Sequence, residues 1–213
     1  MQVVPKMRAA DAAAVDLAAR IIRQGGVVVF PTSGLYGLGA DAFNPDAVAR
    51  VFAIKERPAG KAVLILVRET GDLGTLVAEV SPAAHRLVDH FWPGRVTLVF
   101  KASARVSTLL TGGTGKIGIR VVKHPVAVAL LDGVGGPITA TSANRTGFPA
   151  CADIADLDPH VAAESDLVLD GGPLAGGSGS TVVDVSRETP RVLREGGVTA
   201  AKIHKVVRLK TEE

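Results

Sequence analysis

Residues 62–67 read "AVLILV", six aliphatic residues in succession. Successive side chains of a β-strand point to opposite faces, so such a run is apolar on both. It requires cover on both sides, and that places it centrally in a sheet flanked by helices. Up to the turn "KERPAG" the preceding residues have another rhythm. Pro45 opens a helix with Asp46 in its first turn, and this helix runs to about residue 55. Helix and buried strand are joined by a short turn, which is the grammar of an α/β domain.

The remainder repeats that mixture without strict alternation. Helices are expected over residues 11–24, stopped by Gly25-Gly26, and over 82–91, 125–131 and 199–207. Strands are expected over 27–31, 95–101, 116–122, 137–141 and 166–170, with 181–186 and 191–195 forming a hairpin around Glu188-Thr189-Pro190. This favours a single α/β domain over residues 1–213, with a twisted mixed β-sheet flanked by helices. The glycine-rich stretch "GGPLAGGSGS" (171–180) is bounded by strands and is expected to be a loop of that domain.

Composition narrows the function classes. Hydrophobic residues make up 47% and charged residues 21%, which excludes a disordered chain. A formal net charge of +3 permits nucleic acid or an anionic small molecule as partner without requiring either. The single cysteine, Cys151, cannot close an internal disulfide or build a thiolate zinc site. No apolar run is long enough to span a bilayer and the N-terminus carries no leader-like apolar block, so no membrane partner and a cytoplasmic location are expected.

The chemistry concentrates in a few stretches. Val48, Val51 and Lys55 share one face of the helix opened by Pro45, so the lysine continues an apolar stripe. Its ammonium should reach the edge of the core and point along a cleft wall. Arg57 follows, and Pro58 fixes the turn. Such a pair suits a polyphosphate, lysine as a point charge and arginine as a fork. It also suits a cap on the negative end of the helix dipole. In "PITATSANRTGFP" a strand ends in Thr139, Thr141, Ser142 and Asn144, short hydrogen-bonding side chains at the kind of strand end where ligands bind, or ordinary turn formers. Arg120 and Arg194 each stand in a strand among apolar neighbours, where a guanidinium needs an anionic partner. Ser180 closes the glycine-rich loop. "GGTGKIGIR" is not a P-loop: Leu110 stands at the first glycine and a strand follows Lys116. No histidine is spaced to activate Ser142, and no covalent nucleophile is evident.

Taken in order, "GGVVVFPTSGLYGLGADA" (25–42), "FAIKERP" (52–58), "FWPGRVTLVFK" (91–101), "IGIRVVKHP" (117–125), "ITATSANRTG" (138–147) and "STVVDVS…VLREGG" (180–197) resemble the YrdC family of threonylcarbamoyl-AMP synthases. The Lys-x-Arg and Ser-x-Asn pairs are intact as Lys55/Arg57 and Ser142/Asn144. The extent of the match resembles the short, single-domain members, whose fold carries a concave basic cleft.

The resemblance implies a nucleotidyltransferase that converts L-threonine, bicarbonate and ATP, with Mg2+, into threonylcarbamoyl-adenylate and pyrophosphate. A tRNA-modifying transferase complex would receive the product. It implies Lys55 and Arg57 on the triphosphate, as ATP-binding and catalytic residues, and Ser142, Asn144, Ser180 and Arg194 on the nucleotide. Thr32, Tyr36, Arg120 and Thr139 would shape the threonine pocket. Magnesium ligands stay open, with Asp41 and Asp184 the carboxylates considered. Gly34 stands where the family usually has threonine, Ala62, Val122 and Thr141 where it has proline, and Lys116 and Ala150 where it has hydroxyl residues. An alternative from another class is a divergent paralogue that binds tRNA, double-stranded RNA or nucleotide without making the adenylate. The sequence lacks the aromatic interleaving of single-strand readers, with one tryptophan and one tyrosine. Carbamoyl transfer, as in hydrogenase-maturation proteins with a similar domain, is disfavoured by the lone cysteine.

Overall fold

The computed structural model describes residues 6–207. Along these the chain forms β1 (Lys6–Ala9), α1 (Ala12–Arg23), β2 (Val28–Pro31), β3 (Tyr36–Gly39), α2 (Pro45–Ile54), β4 (Ile65–Val67), α3 (Leu73–Leu76), α4 (Pro82–Phe91), β5 (Val96–Lys101), α5 (Thr108–Thr111), β6 (Lys116–Val121), α6 (Pro125–Val134), β7 (Ile138–Thr139), β8 (Thr141–Ser142), α7 (Pro159–Glu164), β9 (Leu167–Asp170), β10 (Thr181–Asp184), β11 (Arg191–Arg194) and α8 (Ala200–Val206). The helix starts follow capping chemistry. Asp11 accepts from Ala14 N, Asn44 from Asp46 N and Ala47 N, and Ser81 from Ala84 N. Pro45 and Pro82 stand in the first turns of α2 and α4, where a missing N–H costs nothing.

The strands divide into two mixed sheets. One has the order β1-β9-β2-β3-β8, the other β11-β10-β5-β6-β4-β7. The expected strand at 137–141 is the joint between them. β7 pairs with β4 in the six-stranded sheet, and β8 pairs with β3 in the five-stranded one. Between them Ala140 N donates to Leu64 O. The aliphatic run condenses to β4, because Val63 N turns aside to Leu110 O. Ile65, Leu66 and Val67 are fully buried, as their two-faced pattern requires. Ile65 and Val67 enter one core cluster and Leu66 another.

Two clusters sandwich the five-stranded sheet. Val28 and Phe30 pack with Ala18 and Ile22 of α1 and Leu130 of α6, whereas Val29 and Leu38 pack with Val51 of α2 and Val161 of α7. The six-stranded sheet buries one face of β5, β6 and β10. Leu98, Phe100, Ile117, Ile119 and Val183 meet Leu87 of α4 and Ile203 of α8 in a third cluster. The alternate residues of those three strands point the other way, and that second face is the floor of the site described next.

Candidate functional site

Period-two alternation builds the cleft. On β6, Lys116, Gly118 and Arg120 face it while Ile117 and Ile119 face the core. On β5 the cleft residues are Thr97 and Val99, and on β10 they are Val182 and Asp184. The turn 32–37, the β7–β8 joint and the glycine-rich loop before β10 form the walls. The hollow measures about 810 Å3, room for a nucleotide and a second small molecule. Among the described residues five cations line it (Arg57, Arg95, Lys116, Arg120 and Arg194) against one carboxylate, Asp184. Low-dielectric walls concentrate that field, so the cleft attracts polyanions.

Lys55 stands at the C-cap of α2 and is 2% exposed. Its Nζ donates to Ser142 O at 2.5 Å and to Asn144 O at 2.6 Å, with Asn144 Oδ1 at 3.5 Å. The Lys-x-Arg and Ser-x-Asn segments therefore meet directly across 87 residues of chain. Burial, aided by the neighbouring charge of Arg57, pushes the Lys55 ammonium down to about 8. It acts from behind the wall, among the carbonyls that shape the β8 turn. Arg57 does line the cleft, with Nε donating to Lys61 O at 3.0 Å and Nη2 to Ala62 O at 2.5 Å. Its burial lowers the guanidinium from its ordinary range.

The other expected residues fall into two groups. Thr32, Tyr36, Arg120, Ser142, Ser180 and Arg194 line the cleft. Thr139 and Asn144 lie outside the cleft lining and hold the joint together. Thr139 Oγ1 accepts from Ala40 N at 3.0 Å, and Asn144 Nδ2 donates to Arg145 O and Phe148 O. The hydroxyl of Tyr36 is spoken for: it donates to Gly172 O at 2.8 Å and accepts from Gly171 N at 3.0 Å. Burial, reinforced by Asp170, raises its phenol to about 12. Ser180 Oγ shares a 2.8 Å hydrogen bond with Thr97 Oγ1, and Arg194 Nη2 donates to Ser180 O at 2.8 Å. Arg120 is 8% exposed and its Nε has no hydrogen-bond partner among the described residues. Burial first, then the charges of Arg95 and Arg194, lowers it to about 10.

Of the two carboxylates considered for magnesium, Asp41 lies outside the lining, with Oδ1 accepting from Phe43 N. Asp184 lies inside, 6% exposed, with Oδ2 2.8 Å from Lys116 Nζ. Burial pushes its carboxyl up, but hydrogen bonds from Lys116 and Ser186 outweigh that and leave it below the usual range. Among the described residues no cluster of three or more His, Cys, Asp or Glu could hold a metal ion by itself. Cys151 is buried, and that burial pushes its thiol up, which disfavours the reactive thiolate.

Two features escaped the sequence. Arg95 is the first residue of the expected strand 95–101, and it lines the cleft beside Arg120. The Lys116–Asp184 pair joins neighbours on the cleft face of β6 and β10 that β5 separates in the sheet. The cleft-facing rhythm of "KIGIR" was a readable signal for Lys116. Nothing local announces Arg95.

No helix among the described residues is long and apolar enough to cross a membrane. A family model for Sua5/YciO/YrdC proteins, described as telomere recombination, matches residues 20–196. The threonylcarbamoyl-AMP synthase of Pyrococcus abyssi is 36% identical over 193 residues, covering 91% of this chain and 57% of that protein. That of Bacillus subtilis is 36% identical over 195 residues, covering 89% and 55%. This chain thus spans little more than half the length of either relative. The solved structure of Pyrococcus abyssi Sua5 complexed with L-threonine superposes with a TM-score of 0.87 at 34% identity, over 97% of this chain and 62% of that one. A match over most of the chain, in the order of the motifs that surround the cleft, leaves one assignment: the chain belongs to the Sua5/YciO/YrdC family.

Proposed function

We propose that this chain is a threonylcarbamoyl-AMP synthase, joining L-threonine, bicarbonate and ATP into threonylcarbamoyl-adenylate with release of pyrophosphate. One observation carries the reading. Arg57, Arg120, Ser142, Ser180 and Arg194, far apart in sequence, line one cationic hollow of nucleotide size, and Lys55 and Asn144 lie behind its wall, where Lys55 Nζ holds the Ser142 and Asn144 carbonyls. The family, and a threonine complex of a related structure, support the same substrate set.

The chemistry asks little covalent work of the protein. Bicarbonate and the threonine amine give a carbamate and water, and a carbamate oxygen attacks the α-phosphorus of ATP as pyrophosphate departs. Catalysis consists of alignment and of neutralising charge that builds on the phosphates. Arg57 grips phosphate oxygens by letting go of the Lys61 and Ala62 carbonyls, and Arg194, beside Ser180, meets the nucleotide. Lys55 holds the Ser142 and Asn144 carbonyls in place, so the serine hydroxyl and the backbone around it face the nucleotide in a fixed turn. Its positive charge, close behind that wall, adds to the field on the phosphates. Thr32 and Tyr36 shape the amino-acid end, and the Arg120 guanidinium takes the threonine carboxylate. Magnesium would enter with the ATP phosphates and neutralise their charge, and Asp184, the cleft carboxylate paired with Lys116, is the residue that would help to hold it.

The test is incubation with ATP, L-threonine and bicarbonate. Pyrophosphate release should depend on both co-substrates and be lost in Lys55→Ala. No release at any magnesium concentration would overturn the reading. Delivery of the adenylate to a tRNA-modifying complex in the cytoplasm completes the proposed role. The cationic cleft also favours RNA as a ligand. Tight RNA binding that weakens steeply with salt, in a protein that releases no pyrophosphate, would install that reading instead.

A further inference from the structure

We infer that Arg95 is a further substrate-binding residue, forming with Arg120 a two-sided guanidinium clamp for the carboxylate of the amino-acid substrate. This rests on the threonylcarbamoyl-AMP synthase reading and adds a residue to it.

Arg95 precedes β5, and its guanidinium lies in a slot cleared by glycines of three separate segments. A Cβ on Gly34 would stand 3.1 Å from Arg95 Nη2, one on Gly177 3.3 Å from the same atom, and one on Gly197 2.5 Å from Nε. Backbone thus approaches the side chain closely on three sides, and among the described residues its guanidinium donates to Gly176 O at 3.4 Å. Most of its five donors stay open. Arg120 beside it is nearly buried with an unpartnered Nε. The charges of Arg95 and Arg194 both act on Arg120. Asp184, the one carboxylate in the lining, is held by Lys116, and Arg194 is bound to Ser180 O.

Guanidiniums of like charge packed into a partly desolvated wall need an anion. The open donors of Arg95 and Arg120 match a planar carboxylate, whose two oxygens offer about four lone-pair directions. A phosphate could use the same donors, so the experiment must separate the two.

L-threonine and, separately, ATP are titrated calorimetrically into the wild-type chain and into Arg95→Met, Arg95→Lys and Gly34→Ala. Arg95→Met should weaken threonine about tenfold or more and change ATP less than about twofold. Arg95→Lys should fall between, since an ammonium cannot fork. Gly34→Ala removes no donor but presses on the Gly176 carbonyl, 2.7 Å from the new Cβ, and on Arg95 Nη2, 3.1 Å away, so it disturbs the guanidinium together with its acceptor and should weaken threonine too. Unchanged threonine binding in the folded variants, or a loss confined to ATP, overturns the proposal. If Arg95→Met does not fold, Arg95→Lys decides by the same criteria. A wild-type chain that binds no amino acid overturns the underlying reading, and this one with it.

Discussion

Replacing Lys55 by methionine tests whether its ammonium is held against its will. Its ordinary value near 10.5 falls to about 8 in the fold, chiefly through burial. Each unit is worth about 1.4 kcal/mol, so charging Lys55 in the folded chain costs about 3 kcal/mol relative to the unfolded one. Two charge-assisted hydrogen bonds to buried carbonyls resist its removal, and losing them exposes each carbonyl to a penalty of about 1–3 kcal/mol. At neutral pH these effects largely cancel, so Lys55→Met should change stability by less than about 2 kcal/mol while abolishing pyrophosphate release. The pH dependence is the sharper measurement. Because the folded value lies below the unfolded one, the unfolded chain binds more protons between about pH 8 and pH 10.5, and stability attributable to Lys55 rises through that window. Denaturant unfolding of wild type and variant at pH 7 and near pH 9.5 should show the wild type gaining about 2 kcal/mol relative to Lys55→Met. A difference that does not change with pH would refute the reasoning, since it would mean the ammonium is solvated rather than buried among the carbonyls of 142 and 144.

Tyr36→Phe removes the acceptor of Gly171 N and the donor to Gly172 O; it should cost about 1–3 kcal/mol in denaturant unfolding and loosen the loop that follows, read as faster amide exchange there. Lys116→Met deprives the Asp184 carboxylate of its principal partner, so its pKa, followed by carbon NMR, should rise. With that depression relieved, the stability that Asp184 contributes above the ordinary carboxylate range should shrink, and the variant should lose less than the wild type as pH falls through that range. Gly39→Ala places a methyl 2.6 Å from Phe30 Cε1 and 2.9 Å from Thr139 O, and should lower stability by about 1–3 kcal/mol in the same unfolding assay.

Much of this arrangement could be read from residue order, and the failures have definite causes. The apolar stripe of Val48 and Val51 places Lys55 at the edge of the core along a cleft wall, whereas its ammonium is buried behind that wall. Its acceptors are main-chain carbonyls 87 and 89 residues away, which no periodicity reveals. The alternation of residues 116–121 showed which side chains share a face, but not that the polar face stays open while helices cover the other. The "YGLG" stretch of β3 was missed because glycine is a poor strand former; pairing with β2 and full burial override that preference. The edge strand β1 is short and carries charged side chains, and α3, α5 and α7 span six residues or fewer, too few for a periodic signal. Asn144 and Thr139, grouped with the ligand-facing residues by their chemistry, spend that chemistry on the backbone. Arg95 needed three glycines from unconnected stretches to become visible.

The β7–β8 joint belongs to both sheets within five residues. The glycine-rich stretch repeats the crossing, leaving β9 of one sheet and entering β10 of the other. Both seams border the hollow, so neither sheet alone owns it. At the β7–β8 joint Thr139 N donates to Ala40 O and Ala42 N to Pro137 O, so backbone bonds tie the two layers and a shift there moves the walls of the hollow against its floor. Mutations at these two crossings should therefore silence turnover in molecules that still melt as one unit.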